Sequence, residues 1–268
     1  MPIIPLRPIR RRSEEDFHEL DYRVMGFAFA VQNELGRLFE ETVYKNELNY
    51  RLLKNGIEVA REFPVLLSYE GFEKTFFIDL FVDGGIVYEA KVASALTASH
   101  RSQTLNYLFL TDTQHGKLIN FRPGEVEHEF VSTKLDYESR RQVRISDDSW
   151  VNVDRESSRL KQLVTELIQD WGAFLSLDAY RDAVVHFFGG VDEVCRDAEL
   201  TYEGRLLGKQ SVNCLTPETI FAFSAIGEGY ASMRHQLQKM LNLMRPKHLQ
   251  WVNLHQQHLQ FATLARSP

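Results

Sequence analysis

Only two cysteines, Cys195 and Cys214, occur in the 268 residues, and they form no Cys-x-x-Cys pair. A disulfide framework and a cysteine-ligated zinc site are excluded on that ground, and both thiols are expected to pack as small buried apolar groups. Long apolar runs are missing too. The opening MPIIPLRPIRRRSEED has no hydrophobic stretch behind its basic cluster of the kind a secretory signal or membrane span needs. A cytoplasmic location without a membrane is therefore the expectation. Cations are outnumbered: 31 Lys and Arg against 37 Asp and Glu give a net charge of −6. That balance excludes a protein holding nucleic acid through a bulk positive field, which works by counterion release from many Lys and Arg. A local basic groove remains compatible with it, and acids that hold a divalent metal count as negative in the same sum. The cluster Arg10, Arg11, Arg12 reads as a solvated terminus in preference to an arm on phosphates.

What is present is an ordinary globular composition, 44% hydrophobic and 25% charged, with length enough for two domains. Apolar residues at helical spacing (Phe17, Leu20, Val24, Phe27, Val31, Leu35) predict a helix over 16–38, followed by a second over 40–54 with Gly56 placed to cap it. The pattern then changes. Segments 63–69, 74–82 and 86–92 are rich in Val, Ile, Phe and Tyr, are separated by turn residues, and read as a meander of three strands. A helix over 97–110 and short strands over 117–121 and 127–131 complete an αβββαβ order with a trailing strand. Residues 133–159 are polar and charged and read as a linker.

Beyond the linker the first half repeats, weakly in identity but at a steady offset. Tyr44 corresponds to Tyr180, Asp79 to Asn213, Gln103 to Gln238 and Asn120 to Asn253, all at offsets between 133 and 136. The expectation is a mixed-sheet α/β domain over 16–132, and a degenerate copy over 160–264 that packs on it as an intramolecular pseudo-dimer.

The sharpest constellation is Asp79 followed by Glu89, Ala90 and Lys91 on neighbouring strands. Side chains alternate along a strand, so Glu89 and Lys91 share a face. A three-residue turn, Asp83-Gly84-Gly85, puts Val82 opposite Ile86 and hence Asp79 opposite Glu89 on that face. The flanking strings TFFIDLFV and IVYEAKV are otherwise apolar, so these charges sit inside core strands. Two carboxylates in a poorly solvated place repel and lose hydration. A bound Mg²⁺ or Mn²⁺ resolves the conflict, since hard cations take carboxylate oxygens and activate a water for attack on phosphorus. Lys91 is then placed to orient that water and to stabilise charge growing on the phosphate. The blander alternative is a cross-strand ion pair on a solvated face.

Residues 17–132 resemble the GxxExxY family of the PD-(D/E)xK nuclease superfamily. The resemblance rests on NELGRLFEETVYKNEL, FFIDLFV, IVYEAKV, SHRSQTLNYL and KLINF, in that order. It implies a restriction-endonuclease-like αβββαβ core with a metal site on the β-hairpin at Asp79, Glu89 and Lys91. The naming motif falls on Leu38, Glu41 and Tyr44, with Leu38 where the family has Gly, which puts the local helix entry in doubt. Glu41 is a candidate third metal ligand. Gln103 and Tyr107, four apart on one helix face, resemble a motif of the exonuclease branch and become candidate substrate contacts, together with Tyr44 and His100.

The second half lacks this chemistry. At the same offsets Glu41 falls on Leu177, Asp79 on Asn213, Glu89 on Phe223 and Lys91 on Ala225. His248, His255 and His258 include a His-x-x-His pair without acidic company, which argues against a metal site there. The expectation is a Mg²⁺- or Mn²⁺-dependent nuclease acting on DNA, in repair or defence, as a monomer or homodimer. The alternatives are a catalytically silent nucleic-acid- or protein-binding module on the same fold, and an enzyme acting on another phosphate ester.

Overall fold

A computed structural model describes residues 3–5 and 8–267. The chain divides into two compact units, Met1–Ser139 and Arg140–Pro268. In the first, a short strand β1 (Ile3–Pro5) precedes helices α1 (Glu14–Leu35) and α2 (Glu41–Lys54). Strands β2 (Val59–Tyr69), β3 (Phe72–Val82) and β4 (Ile86–Lys91) follow, then α3 (Ala98–Thr111), β5 (His115–Asn120) and β6 (Glu127–Ser132). The strands form one six-stranded sheet in the order β1-β2-β3-β4-β5-β6. Strand β4 pairs antiparallel with β3 and parallel with β5.

Local chemistry accounts for these elements. Ser13 caps α1 in a reciprocal box with Asp16, and Glu14, Glu15 and Asp16 place negative charge at its positive end. Phe17, Val24, Met25, Ala28 and Val31 of α1 and Tyr44, Leu48 and Leu52 of α2 cover one sheet face, packing on Leu80, Val82, Ile86, Tyr88 and Ala90. Strand β5 and all of β4 except Lys91 are buried, as expected of strands covered on both sides.

Two turns fix the register around β3. Glu70-Gly71 joins β2 to β3 with φ of +42° and +94°, the left-handed pair that a two-residue hairpin favours. The three-residue turn between β3 and β4 pairs Val82 with Ile86, Phe81 with Val87 and Leu80 with Tyr88, the register expected from its length. The chain segment before α1 lies on this turn: the Arg10 amide donates to the Gly84 carbonyl at 2.7 Å. A Cβ at Gly85 would fall 1.9 Å from the Arg10 carbonyl oxygen, so that approach requires glycine. The three arginines are thus not simply solvated. Arg10 and Arg12 pair with Asp83, and Arg11 pairs with Asp112.

The second unit repeats the first in five of its six strands. It holds α4 (Tyr137–Arg141), which straddles the boundary, β7 (Arg144–Ser149), α5 (Arg155–Trp171), α6 (Leu177–Phe187) and the single turn α7 (Val191–Val194). After these come β8 (Cys195–Tyr202), β9 (Arg205–Thr216), β10 (Thr219–Ser224), α8 (Tyr230–Asn242), β11 (His248–His255) and β12 (His258–Ala265). The run β8-β9-β10-β11-β12 has the order and directions of β2-β3-β4-β5-β6, including one parallel pair, β10 with β11. The sixth strand differs: β7 joins the opposite edge, parallel to β12. Residues 133–159, expected to be a linker, therefore contain a strand of the second sheet and the start of α5. Their polar composition reflects an edge strand whose side chains are mostly exposed.

Shared hydrogen bonds make the duplication concrete. The Tyr44 hydroxyl donates to the Gly36 carbonyl at 2.8 Å, and the Tyr180 hydroxyl donates to that of Gly172 at 2.5 Å. Asn120 accepts from the Ala93 amide and donates to the Ala93 carbonyl and to Glu127. Asn253 does the same with Ile226 and Gln260. Both asparagines are fully buried, where an amide with its partners satisfied is retained because losing one leaves a buried polar group unpaired. Cys195 and Cys214 are half-buried free thiols and not core residues, Cys195 donating to Asn213.

Candidate active site

The hydrogen-bonded ladder of β3 with β4 ends at Leu80 and Tyr88, and Asp79 and Glu89 follow on the next step. Beyond the ladder, backbone amides of each strand serve a carboxylate of the other. The Asp79 amide donates to Glu89 Oε1 at 3.2 Å, and the Ala90 amide donates to Asp79 Oδ2 at 3.1 Å. Asp79 is 9% exposed and Glu89 1%. Lys91 Nζ donates to Glu89 Oε2 at 3.2 Å. The structure thus brings Asp79, Glu89 and Lys91 together at the centre of the sheet.

Glu89 is the least comfortable of these groups. Burial, and next the neighbouring Asp79 charge, push its carboxyl up to about 8, with Lys91 pulling the other way. Tyr107 is affected by the same environment: burial raises its phenol to about 12, and the Glu89 carboxylate adds to the shift. The Gln103 side-chain amide donates to the Tyr107 hydroxyl at 3.1 Å, so these two candidates stand as a bonded pair on α3 facing the carboxylates.

A proton held by Glu89 in the fold and released from the unfolded chain makes stability fall as pH rises, because the native state binds more protons across that window. In the presence of chelator, the melting temperature of the wild type relative to a Glu89→Gln variant is expected to drop between about pH 4.5 and about pH 8. A constant difference across that range would show that Glu89 is ionised throughout.

Two residues that the sequence pattern did not single out complete the site. Lys45, on α2, reaches Asp79 Oδ1 at 2.8 Å, Glu41 at 3.3 Å and Glu62 at 3.5 Å. Glu62 lies on β2 between the pairs Arg61–Leu80 and Phe63–Ile78, hence across from Asp79. Its φ is +50°, an uncommon backbone for a non-glycine residue within a strand. A signal for each was present: Glu41 and Lys45 form an i, i+4 acid-base pair, and the Glu70-Gly71 turn sets the register that carries Glu62 opposite Asp79.

Two of the expected site residues are employed elsewhere. Tyr44 is fully buried, stacks on Phe121 with ring centroids 4.7 Å apart, and spends its hydroxyl on Gly36 and Phe39. His100 accepts the Thr97 amide through Nδ1 and closes the capping box of α3. The first is a packing residue because the motif helix turns its tyrosine inward, and the second is held by the helix end it caps. Glu41 faces Lys45 and reaches the site through it.

The resemblance of residues 17–132 implies a divalent metal, and the donors present are of a suitable kind: Asp79, Glu89, Glu41 and Glu62 offer hard carboxylate oxygens that Mg²⁺ and Mn²⁺ take. Among the described residues, however, no three carboxylate, imidazole or thiolate side chains close around one point where a metal could sit. The ammonium of Lys45 stands among three of these acids instead.

In the second unit the strand register corrects the expected equivalences. Lys91 pairs with Asn120 and Ser224 with Asn253, so Ser224 stands for Lys91 and Ala222 for Glu89. A bulge between β9 and β10 shifts Val212, and not Asn213, into the place of Asp79. Leu177 replaces Glu41. The corresponding cleft, of about 300 Å³, is lined by Leu177, Arg181, Val212 and Ala222 among others, and it holds none of the trio's charges. His248, His255 and His258 lie on the β11–β12 hairpin, with His258 bonded to Ser146.

A mixed sheet with paired acids and a lysine on its central hairpin defines a nuclease-like class of α/β fold. Residues 18–134 match the family model of the PD-(D/E)XK nuclease superfamily. No curated protein and no solved structure matches the chain. Among the described residues no helix is long and apolar enough to cross a membrane.

Proposed function

We propose that the first unit is a metal-dependent nuclease that hydrolyses phosphodiester bonds of DNA, and that the second is a duplicate without a catalytic centre. The observation that carries this reading is the mutual locking of Asp79 and Glu89 through backbone amides, both buried, with Lys91 on Glu89. Burying two carboxylates this close is costly, and a divalent cation gives the arrangement a purpose. Asp79 and Glu89 would hold Mg²⁺ or Mn²⁺, with Glu41 the third acid of the set. When bound, the metal supplies Lewis-acid polarisation of the phosphate and a water of lowered pKa.

The protein's own groups do the rest. Lys91 presents positive charge beside Glu89, where charge grows on a phosphate oxygen. Gln103 and the Tyr107 hydroxyl offer hydrogen bonds to the backbone of the bound strand. The second reading, a silent nucleic-acid- or protein-binding module, is favoured by one observation, the seating of Lys45 on Asp79. The deciding experiment incubates the full chain with single- and double-stranded DNA in Mg²⁺ or Mn²⁺. Cleavage that disappears with EDTA supports the nuclease; intact DNA under every condition leaves the silent module. Roles in repair or defence, a cytoplasmic site of action, and a monomer or homodimer belong to the same reading.

A further inference from the structure

Helix α2 delivers one ammonium into a ring of acids. Lys45 Nζ is 2.8 Å from Asp79, 3.3 Å from Glu41 and 3.5 Å from Glu62, and its side chain is about one-tenth exposed. Its ammonium donates a hydrogen bond to Asp79 Oδ1. Tyr44, the next residue back, is anchored in the core by its stacking and two hydrogen bonds, so the stem of Lys45 starts from a fixed point. In the second unit Leu177 and Val212 stand at the places of Glu41 and Asp79, and Arg181, at the place of Lys45, lines the corresponding cleft and bonds Asp178 and Asp182.

We propose that Lys45 is the resident counter-cation of the carboxylate cluster, which a divalent metal must displace from Asp79, so that Lys45 sets the metal affinity of the site. The inference rests on the metal-dependent reading given above. Without metal, Asp79, Glu41 and Glu62 each turn a negative charge toward the same ammonium, and Lys45 offsets the repulsion among them. With metal, Asp79 cannot serve both cations, since like charges a few ångströms apart in a poorly solvated site repel strongly. Lysine is suited to the exchange: its charge rides on a flexible four-carbon stem, and Glu41 and Glu62 remain in reach after it leaves Asp79. Metal binding by the free protein is correspondingly weak. A nucleic-acid phosphate strengthens it by giving the displaced ammonium a new partner.

The test is a calorimetric titration of Mn²⁺ into the full chain without nucleic acid, for the wild type, Lys45→Met and Lys45→Gln. Both variants are expected to bind Mn²⁺ about tenfold or more tightly than the wild type. With chelator they are expected to melt lower, and Mn²⁺ should raise their melting temperature more than that of the wild type. A lysine that merely supported the fold would also lower the melting temperature but would leave metal affinity unchanged or weaker. If the wild type binds and the variants gain nothing, this inference fails and the metal-dependent reading stands. If none of the three proteins binds Mn²⁺, this inference fails, and the same titration with DNA present decides the metal-dependent reading. Binding by the variants alone is the strongest form of support, and the shorter, uncharged but hydrogen-bonding glutamine decides the question if the methionine variant does not fold.

Discussion

Replacing Glu89 with glutamine is expected to reduce metal-dependent DNA cleavage by on the order of 10³-fold, while leaving the metal-free fold as stable as before or more stable near neutral pH. The two halves of that expectation share a cause. Glu89 is buried and its carboxyl is pushed up to about 8 by burial and by Asp79, so the fold bears a penalty whenever it is ionised. Glutamine keeps the volume and the acceptor oxygen for the Asp79 amide and removes the charge. A site selected for stability alone would gain from this change; a metal site loses an anionic ligand. The assay is cleavage of labelled DNA in Mg²⁺ or Mn²⁺, with thermal melting in EDTA alongside. Normal cleavage by the variant sinks the assignment of Glu89, and loss of cleavage together with loss of the fold leaves the effect structural.

Lys91→Met is expected to slow cleavage by about 10²- to 10³-fold. Lys91 touches Glu89 and no other acid of the cluster at hydrogen-bond distance, so its removal spares Asp79 and Glu41. Its half-buried stem is matched in length by methionine, which retains the packing and deletes the charge. The loss should fall on kcat and not on KM, the pattern of an interaction made chiefly in the transition state. A variant whose KM rises while kcat holds would place Lys91 in substrate binding.

Much of the first unit was legible because its turns dictate its register. Asp83-Gly84-Gly85 has three residues, and that length alone pairs Val82 with Ile86 and brings Asp79 across from Glu89. Helical spacing in α1 and β-rich strings bounded by turn residues set the element order. Register also explains what was missed. The Glu70-Gly71 turn carries Glu62 opposite Asp79, but the positive φ that marks Glu62 leaves no trace in composition. In the second unit, the bulge between β9 and β10 moves Val212 into the place expected for Asn213, a one-residue slip that flips a side chain between faces. The segment 133–159 looked like a linker because an exposed edge strand and a linker share the same polar composition. Motif position points Tyr44 to the site, and a place one turn before Gln103 points His100 there, whereas packing and capping claim them first.

The most direct test of the central claim, that Asp79 and Glu89 form a metal site, is a calorimetric titration of Mn²⁺ into the full chain and into an Asp79→Ala variant, with a synthetic DNA duplex present. Saturable binding to the wild type that vanishes in the variant is the predicted result. Equal binding by both proteins would place the metal elsewhere, and a wild type that takes up no Mn²⁺ even with DNA would contradict the account.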